Sequence, residues 1–248
     1  MSTDLSYIEV SGIPVEVHRK PIKNLHVGVY PPSGRVRVAA PAHFDDEAVR
    51  LAIVARLKWI RRQRQSFAGQ PRQSKREMVT GETHYFQGKR YRLDVVEQTG
   101  APGVLIAKNG ALELIIRPGT DRAGRQRLLD RWYRDQLRSQ IPELLGRWEK
   151  VLDRQVADWR IKRMKTRWGT CNIEAQRIWL NLELAKKSPR CLEYVLVHEM
   201  VHLLERRHND RFRSLLDQFI PDWRLRRAEL NQSPLGYDDW GMTHAFVG

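Results

Sequence analysis

One helix near the carboxyl end constrains this chain more than any other stretch. Ser188-Pro189 opens it, with serine in a capping role and proline at the first helical position, where a missing N–H costs nothing. It continues Leu192-Glu193-Tyr194-Val195-Leu196-Val197-His198-Glu199-Met200-Val201-His202-Leu203-Leu204. Inside it His198, Glu199 and His202 read His-Glu-x-x-His. Residues four apart lie on one helix face, one turn above the other, so two imidazoles can meet one metal ion. Glu199 leans to the side of that face, where it can hold and deprotonate a water on the metal. Val195, Val197, Val201 and Leu203 make the surroundings apolar, as in a helix buried within a core.

A catalytic zinc takes three protein ligands and keeps one open position. It lowers the pKa of its water to about 7, within reach of a carboxylate base that later returns the proton to the leaving group. The third ligand must come from beyond this two-turn segment. His208, ten residues after His198 and six after His202, has the spacing of zinc sites in which the chain turns sharply after the helix. Such turns carry a glycine three residues after the second histidine; here that position is Glu205, so Arg206-Arg207 must help make the turn differently. Asn209 or Asp210 can cap a following helix carrying Phe212, Leu215, Leu216 and Phe219, leaving His208 in the elbow. Glu193 and Glu205 are alternative ligands. No fourth ligand is evident, which favours an open, catalytic site over a closed, structural one.

The remainder of the 248 residues reads as α+β, with a β-rich first half. Tyr7 to Val10, Ser11-Gly12 and Val15 to Val17 form a strand–turn–strand signal. Leu25, Val27 and Val29 alternate, Pro31-Pro32-Ser33-Gly34 breaks the chain, and Val36 and Val38 resume. Asp45 or Asp46 caps a helix to about Phe67, with Val49, Ile53, Leu57 and Ile60 inward. After a polar connector, Gly69 to Arg76, two more hairpins are expected. One turns at Gly88, the other at Asn109-Gly110, where a tight primed turn requires positive φ. Thr120 or Asp121 caps an amphipathic helix, which Pro142 should kink or restart. Trp159 to Met164 and Arg177 to Leu182 look like strands. No internal repeat is visible. The expected division is residues 1–119, β-rich with one helix, and 120–248, helical.

The formal charge of +15 points to a polyanionic partner: nucleic acid, nucleotide or an acidic surface. A merely solvated basic surface is the plain alternative. No apolar run reaches the roughly 18–20 residues of a membrane span. Met1 to Val10 contains Asp4 and Glu9 and no apolar core of a signal peptide, and two cysteines, Cys171 and Cys191, fit free thiols in a cytoplasmic protein. His18, His26, His43, His84 and His244 lack metal-like spacing and are expected at the surface or in turns.

Several stretches together resemble one family. They are Arg167-Trp168-Gly169-Thr170-Cys171, Ile178-x-Leu180-Asn181-x-x-Leu184, Tyr194-Val195-x-x-His198-Glu199-x-x-His202 and His208-x-x-x-Phe212. The chain is similar to the YgjP-like zinc metallopeptidases, a group related to the SprT-like proteins, best over residues 120–231. Thr170 stands where serine is usual. The resemblance implies a zincin-like catalytic half with a small sheet over the metal helix, Zn2+ held by His198, His202 and His208, and Glu199 as base. It implies a peptide or protein substrate. It also leaves open a nucleotide pyrophosphatase, an activity assigned to some relatives, and a protease working beside DNA, as among SprT-like relatives. A DNA-associated protein with structural zinc is the non-enzymatic reading. Arg167 is a candidate for substrate or oxyanion binding, against a turn built on Gly169 and Trp168. Tyr194, one turn before His198, either hydrogen-bonds near the site or packs. Lys162, Arg163, Lys165 and Arg167 run into the strand turn expected beside the metal.

Overall fold

The computed structural model of the protein describes residues 4–30, 34–69, 76–164 and 167–232. Period-two alternation builds its first sheet. Strands β1 (Asp4–Val10), β2 (Ile13–Lys20), β3 (His26–Tyr30) and β4 (Arg35–Pro41) assemble in the order β1-β2-β4-β3. β2 and β4 run parallel, and each edge pairing is antiparallel. Val15, Val17, Val36 and Val38 are fully buried on one face, against Val49, Ile53 and Ile60. Ser11 and Gly12, with φ of 51° and 74°, form the primed turn expected between β1 and β2. The break expected at Pro31-Pro32-Ser33 lies outside the described residues. The single helix expected after Asp45 is two helices, α1 (Asp46–Val54), capped by Asp45 onto the Ala48 N–H, and α2 (Leu57–Gly69). The ladder tightens between them, Arg56 N–H bonding the Ile53 carbonyl at 2.9 Å, before the α2 ladder resumes.

Chain contacts divide the protein into two units that part between residues 72 and 73. The second unit begins with another four-stranded sheet: β5 (Thr83–Phe86), β6 (Lys89–Glu97), β7 (Gly103–Ile106) and β8 (Leu112–Ile116), in the order β5-β6-β8-β7. Its pairing directions repeat those of the first sheet. The two units therefore share a strand order. The repeat lies in pairing rather than in residue identity. Gln87 and Gly88, φ 48° and 78°, make the same primed turn as Ser11-Gly12. The Asn109-Gly110 hairpin differs from its expected tight form. Only Gly110 takes a positive φ, 79°, the Gly110 N–H bonds the Ala107 carbonyl, and Asn109 Oδ1 accepts from the Ala111 N–H at 2.9 Å. The connection is a longer loop closed by a left-handed glycine.

Helix α3 (Arg122–Leu152) is capped by Asp121, whose carboxylate accepts from the Gly124 N–H at 2.8 Å. It runs unbroken through Pro142, contrary to the expected kink or restart. The reason is burial: Leu129, Tyr133, Leu137 and Ile141 before the proline, and Leu145, Trp148 and Leu152 around and after it, line one stripe against one core. That burial exceeds the roughly 3 kcal/mol an interior proline costs. The same core takes in Leu93, Leu112, Leu114 and Ile116 of the sheet, so the expected division at 119/120 falls inside the second unit.

A three-stranded sheet follows, ordered β10-β11-β9, from β9 (Asp158–Lys162), β10 (Gly169–Asn172) and β11 (Arg177–Asn181). A 3-10 turn (Leu182–Lys186) leads into α4 (Pro189–Val201), then α5 (Asp210–Phe219) and α6 (Trp223–Gln232). The fold is α+β, with β-rich first half, helical second half and small sheet as the sequence indicated. Among the described residues no helix is long and apolar enough to cross a membrane. Both cysteines are free thiols.

Candidate metal centre

Helix α4 is buried along its length, from Cys191 and Leu192 to Met200 and Val201. Its start differs from expectation in one detail. Ser188 makes no side-chain cap; its hydroxyl instead donates to the Glu229 carboxylate on α6. Glu193, weighed as a metal ligand, is engaged elsewhere. It accepts from Trp148 Nε1 at 3.0 Å, from Arg226 Nη1 at 2.6 Å and from Arg147, tying α4 to α3 and α6.

Past Val201 the chain tightens without glycine. Leu203 and Leu204 N–H groups bond the Met200 and Val201 carbonyls, each at 2.9 Å, and none of residues 202–209 takes a positive φ. Asn209 then caps α5, its side chain accepting from the Phe212 N–H at 3.0 Å. His208 sits in the elbow just before that cap. His198, His202 and His208 come together: their ligand atoms all lie within 4.8 Å of one another, and Nε2 of His198 and His208 face each other at 3.1 Å. Nitrogens bound tetrahedrally at 2.0–2.1 Å would stand roughly 3.3 Å apart. His202 Nδ1 bonds the Glu205 carbonyl at 3.2 Å; an oxygen there only accepts, so Nδ1 carries the proton and Nε2 keeps its lone pair. Glu205 thus serves through its backbone, while its carboxylate accepts from the Arg207 N–H at 3.1 Å.

Burial lowers all three imidazoles below the usual histidine range, His198 furthest. The neighbouring imidazoles and Arg227 add to this at His198 and His208. Neutral rings are the form that binds a metal. Three imidazoles suit zinc by donor type. Phe212 floors the cluster, its ring centroid 4.7–4.9 Å from those of all three histidines. The sequence showed Phe212 as an apolar position of α5 and as part of the His208-x-x-x-Phe212 stretch, with no role attached to it.

Glu199 is 3% exposed. Burial pushes its carboxyl up to about 8, opposed by the Arg167 guanidinium. Arg167 itself is exposed. Tyr194 is buried, edge-on to His198 at 5.9 Å and stacked on Trp223 at 6.4 Å. Both contacts are packing contacts. Of the basic group expected beside the metal, Arg163 pairs with Asp130 at 2.8 Å and Lys162 lies 4.5 Å from the Trp179 ring centre. Lys165 lies outside the described residues. So does His244. His84, expected at the surface or in a turn, is buried against Glu82 at 3.2 Å.

Two residues have structural contacts near α4 that their sequence context did not signal. Asn181 is fully buried; its amide donates to the carbonyls of Met164 and Arg167 at 2.9 and 2.8 Å, anchoring the loop into β10. Gly169, read as a bend, has no positive φ and packs directly against Glu199.

Comparison with curated proteins finds no match. Among solved structures, the crystal structure of the metallopeptidase zymogen of Pyrococcus abyssi abylysin is similar at 19% identity, covering 36% of this chain and 90% of that one, with a TM-score of 0.34. The family model described as "YgjP-like, metallopeptidase domain" matches residues 24–233, a span that holds the helix, the elbow and all three histidines. The chain belongs to the YgjP-like metallopeptidase family.

Proposed function

We propose that the protein is a zinc-dependent peptidase in which His198, His202 and His208 hold the ion and Glu199 is the general base. One observation carries the reading: three imidazole donors converge at the helix that also carries a buried carboxylate, Glu199. When bound, the ion supplies a Lewis acid that acidifies water and polarises a carbonyl oxygen. Glu199 takes the proton of the attacking water and delivers it to the departing amine as the peptide bond breaks. A carboxyl raised by burial is a stronger base once ionised, and near neutral pH it retains the proton it must later hand on. His202 is fixed in one tautomer by the Glu205 carbonyl, and the Phe212 ring packs against all three imidazoles. β10 stands at the edge of its sheet, where an extended substrate backbone can pair with it.

The test runs the zinc-loaded chain and Glu199→Gln side by side on peptide and nucleotide panels. Both should bind one zinc, and the variant should cleave peptides about 10²–10⁴-fold more slowly. Equal cleavage by both would remove Glu199 from the reaction. Nucleotide hydrolysis with intact peptides would transfer the site to the phosphohydrolase reading. His208→Ala should lose the metal; full occupancy would mean a different third donor.

A further inference from the structure

Gly169 is one of the glycines whose backbone does not need to be glycine. Its φ is absent from the left-handed region that Gly12, Gly34, Gly81, Gly88, Gly110 and Gly119 occupy, and it sits in a regular strand paired with Leu180. Conformation therefore permits any residue there, and another reason must exclude a side chain. Space supplies it. A Cβ at position 169 would stand 2.6 Å from Glu199 Cγ, 2.6 Å from Oε1 and 2.9 Å from Cδ. Carbon atoms approach comfortably only to about 3.5–4.0 Å. All three of its nearest neighbours belong to one side chain.

The clash falls on a side chain that is itself buried, not on one free in solvent. Gly169 and Trp168 are buried, and so are Val195, Met200 and the Glu199 side chain itself. The carbonyls of Met164 and Arg167 are pinned by Asn181, so the strand entry cannot swing outward without breaking those bonds. Asn181 N–H also bonds the Trp168 carbonyl at 2.9 Å, fixing β10 at the residue before the glycine. The slot that holds the carboxylate is thus walled by strand backbone where a Cβ would otherwise be.

The geometry points to Gly169 as a positioning residue: its missing side chain is the slot that sets where the Glu199 carboxylate rests. The role acts through Glu199 and touches no substrate. Its consequence for peptide cleavage rests on the proposed function above; its consequence for stability does not.

The experiment is a double-mutant cycle on the metal-free chain: wild type, Gly169→Ala, Glu199→Ala and the double variant, followed by thermal unfolding. Glu199→Ala removes all three atoms that a Cβ would meet. Gly169→Ala should lower Tm by about 5 °C when Glu199 is present and by much less when residue 199 is alanine. Equal shifts in both backgrounds, zero included, would overturn the proposal and leave Gly169 a plain strand residue. In the zinc-loaded enzyme Gly169→Ala should cut kcat about 10²-fold with KM and bound zinc unchanged, the cost of a base displaced by about 1 Å. Absence of any peptidase activity in wild type would defeat the functional reading while leaving the cycle to decide this one.

Discussion

Asn181→Ala tests whether the loop into β10 is held by one side chain. The Asn181 amide nitrogen donates to the Met164 carbonyl at 2.9 Å and the Arg167 carbonyl at 2.8 Å. Its oxygen accepts from the Glu183 N–H at 3.2 Å and more weakly from the Met164 N–H at 3.4 Å. Two short bonds at about 1 kcal/mol each, plus about 1–2 kcal/mol for leaving the buried Met164 carbonyl without a donor, give a loss of about 3–4 kcal/mol. Asn181→Asp is nearly the same size, so packing alone would tolerate it. At neutral pH, however, it sets a carboxylate oxygen against two carbonyl oxygens and should cost more than alanine. The order of stability is therefore Asn, then Ala, then Asp. Urea unfolding at pH 7 followed by tryptophan fluorescence measures it, with an unchanged m-value showing that the same transition is being read. A loss below 1 kcal/mol for Asn181→Ala, or an Asp variant as stable as wild type, would refute the anchoring argument.

Two further outcomes follow from burial. His84 is held down to about 4, first by desolvation and then by Arg76, so it should remain neutral at pH 5. Its folded value lies below its unfolded one, so the unfolded chain takes the proton first. The stabilisation is present above about 6.5 and is lost as pH falls toward 4. An imidazole NMR titration centred near 6.5 would contradict this. The Cys171 thiol is pushed up to about 12 by burial and by the nearby Glu199 charge, so at pH 8 it should react with a thiol reagent far more slowly than after unfolding in urea. Equal rates in the folded and unfolded chains would show it is not shielded.

Helix α4 and its pair of histidines were legible because their information is local. His198 and His202 are bound to share a face by helical spacing, whatever surrounds them, and the cap at Asn209 fixes where the next helix starts. His208 was read from its spacing, ten residues after His198 and six after His202, and it lies in the elbow just before that cap. Continuity of α3 through Pro142 was not legible, since the missing hydrogen bond is local but the compensating core is not. Tyr133 and Trp148 find their partners in a sheet and helices distant in sequence; the Tyr133 hydroxyl, for example, donates to the Tyr85 carbonyl at 2.7 Å. The same limit hid Gly169. A glycine after Arg167-Trp168 reads as a bend, and only the approach of a side chain thirty residues onward gives it a different purpose.

The repeated sheet carries this point further, because two turns with one backbone shape use their glycines for different reasons. Gly12 and Gly88 both need a positive φ, and a Cβ on Gly12 would meet nothing within 4 Å. At Gly88 a Cβ would come within 3.2–3.3 Å of Ser188, the residue before α4. The Gln87 and Gly88 N–H groups also bond the Ala185 and Lys186 carbonyls at 3.0 and 3.2 Å. In the second unit the hairpin turn therefore holds the 3-10 segment that leads into α4, whereas among the described residues no backbone bond ties the first unit's turn to another element. Sequence shows a small polar or amide residue followed by glycine in both places, and the φ requirement alone explains both. What separates them is a backbone-to-backbone approach, which leaves little trace in residue type because every residue but proline carries the same donor and acceptor. A metal site built on side chains can be read from spacing; the framework that aims it is written largely in main-chain bonds and is read only from the fold.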